Sequence, residues 1–600
     1  MATKVTGPTK ADLSAAYRAE LSESTSTWGV SSHDYTLIIG DGQGLRPSRY
    51  VVDVETDESE ARNFVGLALV DLRAPTQEVH YIPEITERLR EILSKSQFVG
   101  HNVKFDLHCM RGWGIKIDSS QIHGDTMLMA YSRSTTEESY GLKDLVNAHL
   151  GWTYPTYREI VGTGKGKLTL DQQNRELVAN YCGMDALSAA ELFRVFTKGQ
   201  SRAERRYYQC LELPVYRALF DVEARGVTID CDYVRRLDGE FLQAKAGYLR
   251  DLQSAVGDPE FNPGSPKQVQ EKLFKKVGIQ AQETGVKILK AYENIPEIKA
   301  LLKFREVSKL ASTYTTAFLA LPSLPLIHTR FNQVAVDSAA DTTTGIRTGR
   351  LSSSEPNLQN IPTRTELGNK IRAAFIAPVG HKLIVADYSQ IEYRLLAHFS
   401  EERRLIDAFK NGVDVHEATG LALGVDRKLG KTLNFAAIYG AQPKKIAFTA
   451  GITEDEAATF LARYWDNLPG VQQWIAYTRA RARVRLGVET LYGRFISLPD
   501  LISKDMYARF HAERAAINYV IQGSAAEVMK LALLRLHALG LDVRLTVHDE
   551  FVVQVSDVSD RVELARLKVE QAMSNVVTLK VPLLVDAHVG QNWQEAKGGK

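Results

Sequence analysis

From about residue 36 to 200, short apolar runs alternate with stretches whose apolar residues recur every three or four positions. Val, Ile, Leu and Tyr cluster at 50–55, 64–70 and 78–82, which predicts β-strands, and the helical period predicts helices near 84–95, 103–112, 142–149 and 171–196. Alternation of this kind predicts an α/β domain. The stretch 162–167, GTGKGK, reads as a flexible loop, and the Ser-, Thr- and Ala-rich residues 1–33 read as a poorly ordered arm. From about 203 to 320 the period is helical, with long runs at 204–224, 231–255 and 266–276. Strands return at 382–387, 543–547 and 551–555, around a helix-rich insert at roughly 398–480. No internal repeat or low-complexity tract is evident.

Composition narrows this picture. A chain of 600 residues suggests about four domains. The hydrophobic share of 44% and charged share of 24% sit at the globular average and exclude wholesale disorder. Cys109, Cys182, Cys210 and Cys231 form no C-x-x-C pair, which argues against a disulfide scaffold or a cysteine zinc site and fits a reducing compartment. No apolar run approaches the ~20 residues that span a bilayer. Residues 1–30 lack the apolar core of a secretory signal, so a cytoplasmic location is expected. The net charge of +2 hides local asymmetry. Residues 267–310 carry ten Lys/Arg against five Asp/Glu, 427–453 carry five basic and no acidic residues, and 479–485 reads RARARVR. Such runs are commonly solvated helix faces, but they are also where phosphates would lie.

Two constellations carry chemistry. In VVDVET, Asp53 and Glu55 stand two residues apart and so share a strand face. Asp106 in GHNVKFD and Asp185 in YCGMD add two acids, and Tyr181 precedes Asp185 by one helical turn. Four carboxylates converging without basic partners are tolerable when divalent cations lie between them, and oxygen-only ligation suits Mg²⁺ or Mn²⁺. Further along, KLIVAD ends an apolar strand in Asp387, and LTVHDEFVVQV reads as two strands around a turn at His548-Asp549-Glu550. Between them, Arg427, Lys431, Phe435 and Tyr439 recur every four residues and form a slanting stripe of two cations then two aromatics. Gly424–Thr432, GVDRKLGKT, has five residues between its glycines where a P-loop needs four, which excludes that ATPase motif. Arg514, Asn518 and Gln522 make a narrow polar face on a helix at 513–538, and TGRLSSSEPNLQNIP gathers Arg350, Asn357, Gln359 and Asn360 in one loop.

Asp53-x-Glu55, Asn102-x-x-x-Asp106 and Tyr181-x-x-x-Asp185 resemble the three motifs of the DEDDy 3′–5′ exonucleases. DYSQIEYRLLAH at 387–398, R-x-x-x-K-x-x-N-F-x-x-x-Y-G at 427–440 and VHDE at 547–550 resemble motifs A, B and C of the A-family DNA polymerases, the bacterial DNA polymerase I family. The resemblance runs from about residue 36 to the C-terminus and is nearest the compact phage or organellar form, because only about 35 residues precede the exonuclease, too few for a 5′-nuclease domain. It implies an α/β multi-domain chain, a ribonuclease-H-like exonuclease domain followed by a right hand of thumb, palm and fingers. The expected division is an arm at 1–35, exonuclease at 36–202, thumb and start of palm at 203–340, palm at 341–397, fingers at 398–480 and palm again at 481–600.

Residue by residue, the resemblance implies that Asp387, Tyr388 and Asp549 hold two Mg²⁺ ions with Glu550 in support, and that Asp53, Glu55, Asp106 and Asp185 hold two more while Tyr181 orients a water. Arg427, Lys431, His416 and Gln390 would bind the nucleotide, Phe435 and Tyr439 would shape the nascent base pair, and Glu392 would crowd a ribose 2′-hydroxyl. Arg350, Asn357, Gln359, Arg514, Asn518, Gln522 and His548 would contact primer–template DNA, fixing register without reading much sequence. A Phe at 435 implies discrimination against dideoxynucleotides. Ala436, where the family usually has Gly, and Tyr393, where Leu is common, depart from the pattern without touching the chemistry. The expected partners are primer–template DNA and deoxynucleoside triphosphates, acted on by a monomer. A single-subunit RNA polymerase shares the palm acids, but Glu392 and the exonuclease acids oppose it; a DNA-binding scaffold with a dead site is opposed by the retained Asp387, Asp549 and Lys431.

Overall fold

The computed structural model describes residues 3–6, 35–59, 62–74, 78–133, 137, 139–334, 347–363, 365–438, 440 and 442–598. Tyr439 therefore lies outside the described residues, as do the side chain of Phe435 and most of the expected N-terminal arm.

The first unit is built on a seven-stranded mixed sheet. Its strands are β1 (Thr3–Thr6), β2 (Thr36–Ile39), β3 (Arg49–Thr56), β4 (Phe64–Asp71), β5 (Glu78–Ile82), β6 (Gln97–Gly100) and β7 (Ile122–Asp125), in the order β1-β2-β5-β4-β3-β6-β7. β1 falls within the expected arm and pairs antiparallel with β2. β3 pairs antiparallel with β4 and parallel with β6. Helices Val103–Gly112 and Arg175–Gly199 pack on β3. That burial explains why Tyr50, Val51 and Val52 are all apolar and enclosed, a continuous run rather than an alternation. Gly66 lies opposite Glu55, and a Cβ there would overlap the Tyr81 ring.

The second sheet has four antiparallel strands. His381–Tyr388 lies between Glu550–Ser556 and Val585–Gly590, with Asp542–Val547 beyond the former. Its register sets Asp387 opposite Glu550 on one side and Asp586 on the other. Helices at Arg403–Lys410, Val415–Leu423, Arg427–Ile438, Pro443–Ala450, Glu454–Asn467 and Pro469–Arg485 fill the expected insert, the last carrying RARARVR. Gly430 lets the 427–438 helix lie against the 415–423 helix, because a Cβ there would collide with the His416 carbonyl.

Some boundaries move for local reasons. The helix expected at 513–538 starts at Met506, where the Asp505 carboxylate accepts the Tyr507 N–H. The helix expected from 171 starts at Arg175, capped by Asn174. The run 204–224 is broken by a π-turn at Tyr208–Glu212. Among the described residues, the buried apolar side chains gather into four cores. One lies around the first sheet, one around the second sheet and its helices, one in the helical segment near Leu252–Phe304, and one under the hairpin near Val488 and Ile496.

Candidate active sites

The first acid cluster draws on three elements. β3 supplies Asp53 and Glu55. Asp106 sits in the first turn of the 103–112 helix, whose start is tied down by buried Asp125, which accepts from the Val103 N–H at 2.8 Å and the Leu128 N–H at 2.9 Å. Asp106 in turn accepts the Val54 N–H at 3.2 Å, which fixes its carboxyl against β3. Tyr181 and Asp185, one turn apart on the 175–199 helix, are both buried. All four expected acids therefore converge, as the motif spacing predicts.

Burial, then mutual repulsion, pushes Asp53, Glu55 and Asp106 well above the usual carboxylate range; Asp185 acts on the first and Asp53 on the other two. The sequence-based expectation of a cluster without basic partners is corrected here. Lys143 forms an ion pair with Asp185, and its ammonium lies 3.9 Å from the Tyr154 ring centre and 4.6 Å from that of Tyr181. Ligand atoms of Asp53, Glu55 and Cys182 lie within 4.8 Å of one another, a spacing that one ion can fill. Burial and then the neighbouring acids raise the Cys182 thiol well above its ordinary value, and the thiol donates to the Asp53 carbonyl at 3.5 Å. The donors left are hard carboxylate oxygens, which fit Mg²⁺ or Mn²⁺ rather than a thiophilic metal.

The second cluster sits at strand ends of the four-stranded sheet. The Tyr388 N–H donates to the Asp549 carbonyl at 3.1 Å, which joins the Asp387 strand to the 548–550 hairpin, where His548 takes φ = 54°. The Tyr388 hydroxyl points away, donating to the Met573 carbonyl. Burial raises Asp549 to about 6, with Arg350 opposing and Glu392 and Asp387 adding. Burial also raises Asp387, opposed chiefly by Lys597. Glu550 is buried; its Oε1 accepts the Trp593 indole N–H at 2.6 Å and its Oε2 pairs with Lys597.

The other expected residues divide. Arg427 and Lys431 are exposed on the 427–438 helix, Arg427 held by Asp414 at 2.7 Å. His416 is buried against Tyr393, with Nδ1 2.9 Å from the Asn434 amide; burial first, then Lys431 and Arg427, lower its pKa to about 4 despite Asp414. The ring is thus enclosed between Tyr393 and Asn434, unlike the exposed Arg427 and Lys431. The Gln390 Oε1 is buried without a hydrogen-bond partner beside the second cluster's strand end. Arg350 is ion-paired with Glu392. Gln359 is buried, its amide donating to the Thr546 carbonyl at 3.0 Å and tying the loop to the second sheet, whereas Asn357 accepts the Gln359 and Asn360 N–H groups and so shapes its own loop. Arg514 is exposed, Gln522 is half-buried, and the Asn518 Oδ1 is buried without a partner. Sequence reasoning missed Lys143, Cys182, Arg372, Asp586, Trp593 and Lys597. Only Cys182 and Asp586 left a signal, one inside the YCGMD motif and one at strand alternation opposite Asp387.

Comparisons with known proteins bear on both clusters. Residues 231–595 match the family described as DNA polymerase family A. The chain belongs to DNA polymerase family A. Residues 50–199, which hold the first cluster, match the family described as 3′-5′ exonuclease. This family A chain is 35% identical over 570 residues to DNA polymerase I of Rhizobium leguminosarum, covering 89% of this chain and 54% of that protein. It is 39% identical over 437 residues to the thermostable DNA polymerase I of Thermus filiformis, covering 69% and 51%. The chain thus spans about half the length of these curated relatives. It also aligns with the POL domain of Pol1 from M. smegmatis in complex with DNA primer-template and dNTP, at a TM-score of 0.77 and 29% identity, over 92% of this chain and 96% of that one.

Proposed function

We propose that the chain is a template-directed DNA polymerase that adds deoxynucleotides to a primer 3′ end and removes mispaired 3′ termini at a separate exonuclease site. The observation that carries this reading is the placement of Asp387, Asp549 and Glu550 at adjoining strand ends, joined by the Tyr388–Asp549 backbone bond, in a family A chain that also holds the four-acid cluster. The division into exonuclease, thumb, palm and fingers is part of the proposal; the separate core around the first sheet supports the exonuclease unit and the one near Leu252–Phe304 supports the thumb. So are action as a monomer and a bacterial or phage-infected cytoplasm, the location being in keeping with four free cysteines.

Divalent cations, Mg²⁺ by preference, would be held by Asp387, the Tyr388 backbone and Asp549, and by Asp53, Glu55, Asp106 and Asp185. When bound they activate the attacking oxygen and stabilise the leaving one. The protein's own groups do the rest. Glu550, locked by Trp593, supports the acids from beneath. Lys431 and Arg427 offer exposed cations to a triphosphate. Glu392, ion-paired with Arg350, would crowd a ribose 2′-hydroxyl. At the other site Tyr181, held by Lys143 across its ring, orients the hydrolytic water. Primer extension with one correct deoxynucleotide tests the reading. Template-matched addition that Asp387→Ala or Asp549→Ala abolishes supports it; addition that survives both variants contradicts it.

A further inference from the structure

Lys597 stands 210 residues from Asp387 in sequence, yet its ammonium lies 3.0 Å from Asp387 Oδ2 and also pairs with Glu550 Oε2. The two acids depend on it unequally. Glu550 has a second anchor in the Trp593 indole, and Arg372 lies 3.9 Å from the same Oε1 while stacking on the Trp593 ring at 4.1 Å. Among the described residues, Lys597 is the one cation paired with the Asp387 carboxylate. The Lys597 side chain is 29% exposed, so solvent reaches it. A cavity of about 100 Å³ opens beside it, lined by Asp387, Asp586, Arg372, Asn369 and Lys597 itself. Asp586 is the neighbour of Asp387 on the adjoining strand, and it has no ion pair among the described residues.

We propose that Lys597 is an exchangeable counter-ion of the polymerase acids. It screens Asp387 from Glu550 while no divalent cation is present, and moves across the cavity to Asp586 when one arrives. Metal loading is then a replacement of one cation by another, and Asp586 is the seat that receives the displaced ammonium. Lys597 is thus a positioning residue that sets how tightly the site takes its metal. The inference rests on the polymerase reading of Asp387 and Asp549.

The test is Mn²⁺ binding followed by electron paramagnetic resonance, without DNA or nucleotide, on the full chain carrying Asp53→Ala and Glu55→Ala so that the other acid cluster does not contribute. Lys597→Met, with Lys597→Gln as a second neutral variant, is expected to tighten Mn²⁺ binding by on the order of tenfold, because a positive charge beside the ion is gone. Lys597→Arg keeps the charge and stays near the parent. Asp586→Asn weakens binding more in the parent than in the K597M background, since only the parent has an ammonium to reseat. Unchanged or weaker Mn²⁺ binding in both neutral variants, with the parent's melting profile, overturns the proposal. The polymerase reading fails separately, if Asp387→Ala leaves primer extension intact.

Discussion

In the cluster on β3, Asp53, Glu55 and Asp106 are enclosed and are pushed far up by burial and one another, with Lys143 paired to the fourth acid. In the cluster on the four-stranded sheet, Asp549 rises only to about 6, because Arg350 and Lys597 stand close to the acids. The donor chemistry is the same, but the charge balance is struck differently. The first site leaves much of the neutralisation to an incoming cation or to protons. The second carries cations of its own, which oppose the rise that burial imposes on Asp549 and Asp387. The two sites therefore answer differently to substitution, to pH and to metal removal.

The largest effect expected from breaking one side of the comparison is that of Asp53→Ala with Glu55→Ala. Removal of an unpaired 3′ terminus should fall by on the order of a thousandfold, with the rate of matched extension unchanged. Gel-resolved digestion of a labelled single strand checks it. Next, Glu392→Ala should raise ribonucleotide incorporation by roughly ten- to a hundredfold and free Arg350 from its ion pair, read as the ratio of ribo- to deoxynucleotide insertion. Lys143→Met and Tyr181→Phe should each slow terminal removal by roughly tenfold without touching synthesis, because Lys143 pairs with Asp185 and Tyr181 orients the water while all four acids stay in place.

The smallest effect is one of stability. A carboxyl whose folded pKa is raised contributes stability that is present below its unfolded value near 4 and is lost as pH rises through the folded value. Asp53→Asn should therefore be more stable than the parent in EDTA at pH 8, and the difference should fade toward pH 4. Thermal melts across pH check it. The corresponding gain for Asp549→Asn should be smaller and complete by about pH 7, given its pKa of about 6.

Much of this arrangement is legible in the residues, for physical reasons. Strands such as Val51–Val54 and Ile384–Ala386 announce themselves because buried strands must be apolar, and the acids stand out because a charge ends or interrupts those runs. Helix registers place Tyr181 beside Asp185 by periodicity alone. Lys143 and Lys597 are invisible to such reasoning, because their partners lie 42 and 210 residues away and nothing local marks a surface-type lysine as one that turns inward. Gln359 and His416 show the converse. Their residue types suit nucleic acid or phosphate, and nothing local shows that the Thr546 carbonyl and the Asn434 amide also engage them.

The central claim is that two acid clusters in one chain perform two separable reactions. A primer with a mismatched 3′ end, given all four deoxynucleotides, reads both at once in the two variant proteins. Asp387→Ala should shorten the primer without extending it, and Asp53→Ala with Glu55→Ala should leave the mismatch in place while still extending a matched primer. Loss of both reactions in either variant, with the fold retained, would contradict the account.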